Sequence, residues 1–338
     1  MSTGTSVRPG AKAPGRTVPP KSHKHAPLYW RHTRAAWGFA LPFVLLFTAF
    51  TAGPVLMSLA MAVTDLRSRD LRNPFAVEFV GIDNFAAVFA DPIFRKAAAN
   101  TAYFVLVGVP LTLGLALAIA VVLNAGVTRL KTFFRVGYYM PVVTSIVAVA
   151  VVWRFLLHPD SGLINEALRL VGIEGPNWLG STTWAMPSMI AMATWRSIGT
   201  LVIIFLAGLQ SVPTSLHEAA ALDGAGAWQR FRFITMPTVR PTLLFGAVIT
   251  GIGYVQFFEE PFVMTQGGPL NSTLSVAFQT YNQFGFGNYG YAAAMSYVLF
   301  LAVVVLTLVQ FRFLGERDAP KKHRRRKPAP VARQETGR

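Results

Sequence analysis

Residues 218–241 read EAAALDGAGAWQRFRFITMPTVRP, and this polar stretch sits between two long apolar runs at 185–210 and 242–263. Just upstream, Ser215-Leu216-His217-Glu218 has the spacing of a capping box, in which a hydroxyl and a carboxylate satisfy the free amides of a helix start. Ala219, Ala220, Ala221 and Leu222 extend such a helix at little cost. Asp223-Gly224 is expected to stop it, because glycine accepts the left-handed conformation of a helix C-terminus. Trp228, Phe231 and Ile234 then recur at spacing three, which predicts a second short helix, with Pro237 ending it and Pro241 turning the chain into the next apolar run. A tether between two helices needs only a few residues. This connection, 211–241, therefore either packs on its own bundle or presents a surface to another molecule.

Working outward, six apolar stretches approach the roughly 20 residues that a helix needs to cross a bilayer. They lie at 37–63, 100–124, 136–157, 185–210, 242–263 and 290–311. The first ends on Ala60-Met61-Ala62, which imitates a signal-peptidase site, but its apolar run is too long for a cleaved leader and is read as a retained span. Asp91-Pro92 gives an N-cap followed by proline at the first helical position, so a short helix should lead into the second span. The whole is expected to be an all-α membrane protein.

Composition agrees. The chain is 53% hydrophobic and 14% charged, against roughly 25% charged in a soluble domain. The formal charge of +16 gathers at the ends, with seven Lys or Arg in residues 1–36 and ten in 312–338. Both tails, 1–36 and 313–338, read as basic, disordered flanks near anionic lipid, with a nucleic-acid role the weaker reading. Placing both tails inside puts 23 Lys and Arg on the cytoplasmic side and six outside, with Arg154 and Arg196 within spans. The positive-inside rule therefore predicts cytoplasmic termini and a cytoplasmic 211–241 loop, flanking a single six-helix domain over 37–312.

Several chemistries are excluded. There is no cysteine, so thiolate metal sites and disulfides are absent. The histidines lack metal-ligand spacing and the serines lack a nucleophile elbow, so no metal and no catalytic residue is assigned. No GxxxxGK[ST] phosphate loop occurs, so ATP hydrolysis belongs to another chain and no cofactor is expected on this one. What remains is polar groups inside spans, which are costly and therefore informative. Arg196 in the fourth span and Glu259 and Glu260 late in the fifth either form an internal ion pair or face a cavity. In the second case Tyr254, Gln256 and Glu259 would line a solute path, with Gly251 and Gly253 allowing close approach. Arg154, near a span end, is expected to reach the interface. The third outer connection, 264–289, has no ionisable acid or base, and suits either an aromatic interfacial belt or a wall that touches sugars or a partner's polar face.

The 218–241 stretch resembles the signature loop of ABC importer permeases. Glu218, Ala219, Ala220, Asp223, Gly224, Ala225, Phe231, Ile234, Pro237 and Pro241 fall on that pattern, and Met236 stands where leucine is commoner. FVGIDNF at 79–85, NTAYF at 100–104, GLINEAL at 162–168 and VMTQGGPLNST at 263–273 resemble the carbohydrate-importing branch, of the maltose and glycerol-phosphate type. The resemblance covers roughly 37–312. It implies a permease that pairs with a second homologous permease, two ATPase subunits and an external solute-binding protein to import a sugar across the cell membrane by alternating access. It also implies that Glu218, Ala219, Ala220, Asp223, Gly224 and Ala225 dock on the ATPase, and that Thr265, Gly267, Gly268 and Pro269 face the binding protein. The large domain that some maltose-type permeases insert between spans has no counterpart here, the longest outer connection being 64–99. Rival readings are an importer of peptides, polyamines or phosphate esters, and a secondary transporter or channel. The latter two have no need of a docking loop.

Overall fold

The computed structural model describes residues 28–73, 77–125, 137 and 139–315, with side chains from residue 36 onward. The expected tails therefore lie largely outside the described residues, as does most of the basic connection 124–135. Where the first tail is described it is helical: α1 spans Leu28–Phe47, so the helix starts within the stretch read from composition as a flank.

The chain divides after Leu56 into two compact units. The first contains α1, a π-helical turn at Thr48–Ala52 and the start of α2 (Gly53–Ala62). Together α1 and α2 provide the apolar span Ala36–Ala62, whose most apolar stretch buries no residue. Trp37, Phe39, Phe43 and Phe50 all stand exposed on it, Phe43 stacking on Phe47 at 6.0 Å. An apolar helix with no buried face requires lipid or another chain around it.

The second unit holds the remaining helices. After a 3₁₀ turn at Ser68–Arg72 come α3 (Asp83–Ala90) and α4 (Pro92–Asn124), then α5 (Ile146–Leu156), α6 (Leu163–Leu170) and α7 (Ala185–Gln210). These are followed by α8 (Thr214–Leu222), α9 (Ala227–Arg230), a π-helical segment Phe231–Thr235 and α10 (Met236–Val255), and then by α11 (Glu259–Met264), α12 (Val276–Gly285) and α13 (Tyr289–Leu314). Among the described residues the only β pairing is an isolated bridge, Thr64 to Phe79. Among the described residues, five helical stretches are long and apolar enough to cross a membrane: Ala36–Ala62, Pro92–Asn124, Ala185–Gln210, Ala227–Val255 and Tyr289–Leu314.

Four local expectations change. The third apolar stretch, expected at 136–157, is broken: the backbone leaves the helix at 144–145, so α5 begins at Ile146 and runs only 11 residues. The helix expected to lead into the second span is that span, since Asp91 accepts from the Ile93 amide at 2.8 Å and α4 then continues for 33 residues. Pro237 does not end a helix. The chain stays helical from Ala227 to Val255, and the π-helical turn Phe231–Thr235 lies just ahead of Met236-Pro237. The same arrangement recurs where Thr48–Ala52 precedes Gly53-Pro54. A wider turn moves the preceding carbonyl off the proline ring and absorbs its missing donor. Finally, α8 starts one residue before Ser215, with Pro213 as its N-cap, and no side chain caps it; the Ser215 to Glu218 box is not formed.

The helices approach closely where side chains are small. A Cβ on Gly246 of α10 would lie 2.8 Å from the Phe205 ring of α7, and one on Gly208 would lie 2.8 Å from the Thr242 hydroxyl. Without a hydrophobic drive between helices in lipid, such close backbones supply the packing energy. Between the spans, buried amides hold the connections. Asn84 donates to the carbonyls of Ala62 and Thr64, at 3.0 and 2.8 Å. Asn100, on α4, donates to those of Asn271 and Leu274, at 2.7 and 2.9 Å, and Thr101 accepts from the Val276 amide. Asn165, on α6, donates to the carbonyls of Pro159 and Pro176 and accepts from the Trp178 indole at 2.6 Å. Replacing Asn165 by Leu removes three hydrogen bonds at a buried position and leaves their partners unpaired. The expected cost is ~2–4 kcal/mol, measurable as a lower Tm in detergent together with new protease cleavage within 158–180.

Candidate functional site

The structure brings several of the sequence-derived polar residues to one place. Arg196 lies about midway along α7, and Glu259 and Glu260 open α11. With Ser197, Thr200, Thr250, Gly253 and Tyr254 they line a cavity of about 320 Å³. Ile146, the first residue of α5, also lines it, as does Phe257 in the break between α10 and α11. Two interruptions of helical backbone, at 144–145 and 256–258, thus adjoin one cavity. Non-helical backbone at membrane depth is stable only where protein or a wet cavity surrounds it, so the breaks and the cavity explain each other.

Of the two alternatives for Arg196, the ion pair is not formed. No carboxylate lies within ion-pair distance of Arg196; among the described residues the single such contact is Arg69 with Asp70 at 3.3 Å. Instead the Nε of Arg196 and the Oε2 of Glu260 are buried with no hydrogen-bond partner, and Glu260 is only 6% exposed. The two groups face one cavity without a direct contact between them.

Tyr254 and Glu259 reach the cavity as a solute path would require, but Gln256 does not: it caps α10 with its side chain exposed and outside the cavity lining. Tyr254 has a second role that the sequence did not indicate. Its hydroxyl meets Thr112 Oγ1 at 2.9 Å, Thr112 meets Thr194 Oγ1 at 3.0 Å and donates to the Gly108 carbonyl, so α4, α7 and α10 share one buried hydroxyl node. The Tyr254 ring lies over Gly108, where an added Cβ would come within 2.8 Å of it. Phe104 meets that ring edge-on at 5.0 Å and stacks on Phe257 at 4.0 Å. Of the two expected glycines, Gly253 faces open space at the cavity, whereas Gly251 admits the Gln310 side chain of α13. Arg154 is exposed, and its guanidinium donates to the Val263 carbonyl at 3.2 Å, tying α5 to α11.

The residues of the opening stretch lie at the other end of α7 and α10. None of α8 is buried, and Leu222 is 91% exposed. Its end is a Schellman turn: Gly224 has φ +78°, its amide donates to the Ala221 carbonyl, and the Ala225 amide donates to the Ala220 carbonyl at 2.9 Å. Glu218, Ala219, Asp223 and Gly224 are exposed, with Ala220 and Ala225 half-buried. Ala220, Asp223, Gly224 and Ala225 edge a hollow of about 410 Å³ closed by Arg230, Phe233 and Ile234. Trp228 stacks loosely on Phe231 at 5.6 Å. Arg240 donates to the last carbonyls of α13, at Phe313 and Leu314.

The 264–275 connection is a fixed loop. Thr265 and Thr273 share a 2.7 Å hydroxyl contact, Thr273 donates to the Gly268 carbonyl, and Gly267 adopts φ +83°. Within it Gly267 is buried and Thr265, Gly268 and Pro269 are half-buried, whereas Leu270 is 87% exposed. Asn100 of the NTAYF stretch pins this loop to α4, a tie spanning more than 170 residues.

Residues 108–314 match the family described as the binding-protein-dependent transport system inner membrane component. The chain belongs to this family of membrane permeases. It is 36% identical over 287 residues to the lactose transport system permease protein of Rhizobium radiobacter, covering 83% of this chain and 94% of that one. It is 31% identical to the sulfoquinovosyl glycerol transport system permease protein of Agrobacterium fabrum, covering 76% and 84%. With the arabinooligosaccharides transport system permease protein of Bacillus subtilis it shares 30% identity, covering 85% and 91%. The permease also shares its fold with a chain of a bacterial ABC transporter involved in the import of the acidic polysaccharide alginate, with TM-score 0.70 and 24% identity over 85% of this chain and 98% of that one. It is therefore an integral membrane component of an ABC transport system.

Gly108 and Gly253 separate packing from cavity lining. Gly108→Val drives a branched side chain into the Tyr254 ring and is expected to cost ~1–3 kcal/mol, whereas Gly253→Ala, with nothing within 4 Å of the new methyl, is expected to leave stability unchanged or raise it by up to ~1 kcal/mol. Thermal melts of the two purified variants, side by side, check this.

Proposed function

We propose that this permease is the membrane subunit of an ATP-driven carbohydrate importer, with six spans and both termini in the cytoplasm. The observation that carries the sugar reading is that relatives named for lactose, sulfoquinovosyl glycerol and arabinooligosaccharides each align with at least 76% of the chain. The stretch 136–157 supplies the sixth span, its helical residues 139–143 and Ile146–Leu156 flanking the break at the cavity. The 23-to-six distribution of Lys and Arg supports the orientation.

In this reading the chain works with a second homologous permease, two ATPase subunits and a solute-binding protein outside the membrane. It catalyses no covalent step and carries no cofactor; its sequence has no phosphate loop, and ATP is bound by the ATPase subunits. The exposed α8 and its Gly224 turn dock on an ATPase. Closure of the ATPases displaces α8, and α7 and α10 rock so that the cavity at Arg196 and Tyr254 faces first out and then in. The limb Thr265 to Pro269 lies on the face that receives the binding protein.

Because the chain has no cysteine, Ala221→Cys introduces a unique thiol. A short bifunctional reagent is expected to join it to an ATP-hydrolysing subunit in native membranes, and cellular uptake of labelled sugar is expected to survive a proton uncoupler while ATP is maintained. Capture of no ATPase from Ala221→Cys, or uptake that collapses with the proton gradient at constant ATP, refutes the reading.

A further inference from the structure

The cavity between α5, α7, α10 and α11 holds opposed charged groups that do not touch. Arg196 Nε needs an acceptor, Glu260 Oε2 needs a donor, and both are buried without either. Buried polar atoms left unsatisfied in this way call for a ligand or water to complete them. Around them stand the hydroxyl-bearing Ser197, Thr200 and Thr250 and the rings of Tyr254 and Phe257. A sugar hydroxyl both donates and accepts, so a pair of adjacent hydroxyls supplies what each group lacks, while the rings suit the C–H face of a pyranose.

We propose that this cavity is selective for uncharged polyhydroxylated solutes, held by Arg196 and Glu260 through neighbouring hydroxyls, and that it rejects anionic sugars. The proposal rests on the carbohydrate reading above and narrows it. Among the described residues Arg196 is the one cation in the lining, and Glu259 and Glu260 face the same space. Counted over these described groups, one cation against two carboxylates, the lining has no surplus positive charge whether Glu260 holds a proton or not. A carboxylate, sulfonate or phosphate entering this space meets two carboxylates beside the single guanidinium, and burying a charge without a net counter-charge is strongly unfavourable. This would separate the chain from those similar proteins whose names or descriptions specify sulfoquinovosyl glycerol or an acidic polysaccharide.

The absence of cysteine again allows a direct test, using Thr200→Cys and, as a second position, Ser197→Cys in native membranes with all partner subunits present. Each thiol is treated with methanethiosulfonates bearing a neutral hydroxyethyl, an anionic sulfonatoethyl or a cationic trimethylammonioethyl group, and every rate is normalised to that of a free thiol. The anionic reagent is expected to react about tenfold more slowly than the neutral one. Adding Arg196→Gln should widen that gap, and adding Glu259→Gln with Glu260→Gln should abolish it. An anionic rate equal to or above the neutral rate, or no reaction with any reagent at both positions, overturns the proposal. The carbohydrate reading is tested apart from this, by uptake of a labelled panel containing lactose, arabinobiose and digalacturonate. Uptake of the neutral sugars alone agrees with both, uptake of digalacturonate overturns the selectivity while sparing the importer, and uptake of no sugar beside intact thiol kinetics removes the carbohydrate reading but leaves the measured charge preference standing.

Discussion

In hydrocarbon every peptide N–H and C=O must find its partner within the protein, and the architecture follows from that demand. Spans are helical because no other open arrangement closes its own hydrogen bonds. Where the helix fails, at 144–145 and 256–258, the chain has placed both failures against the same cavity. The prolines obey the same rule in a milder way. Pro54 and Pro237 each follow a π-helical turn that absorbs the lost donor, so both helices continue past residues that would otherwise end them.

Much of what the chain shares in pattern with sugar permeases outside the signature loop proves to be joinery. Asn84, Asn100 and Asn165 occupy the stretches FVGIDNF, NTAYF and GLINEAL, and each turns a short amide side chain toward two backbone carbonyls of a neighbouring connection. An asparagine offers two donors and an acceptor without charge, so it satisfies a buried loop where an ion would be costly. The Asn100 tie fixes the 264–275 loop to α4, giving a surface without ionisable groups a defined shape.

The all-helical membrane fold was legible because length and hydropathy are one-dimensional properties, and so was the glycine stop at Gly224, because a left-handed residue is local. Arg196 and Glu260 were visible as expensive charges in apolar runs, but their relation was not, since whether two charges meet depends on how α7 and α11 are set against each other. Gln256 was misplaced for the same reason: a helix ends one residue before it, and its side chain leaves the cavity face. The continuation through Pro237 could not be read from residue types, because it depends on a local change of helical pitch. Thr112 and Thr194 carried a signal, hydroxyls in mid-span, but nothing in the sequence joined them to Tyr254.

The bareness of α8 has a mechanical corollary. Between Val212 and Thr235 no described residue is fully buried, and Ile234, beside Thr235, packs half-buried against the core. A displacement of this segment would therefore act chiefly at its two ends, one just beyond α7 and the other just before α10, the helices that carry Arg196 and Tyr254. Held mainly at its two feet, such a piece would hand its motion to the beams that frame the chamber.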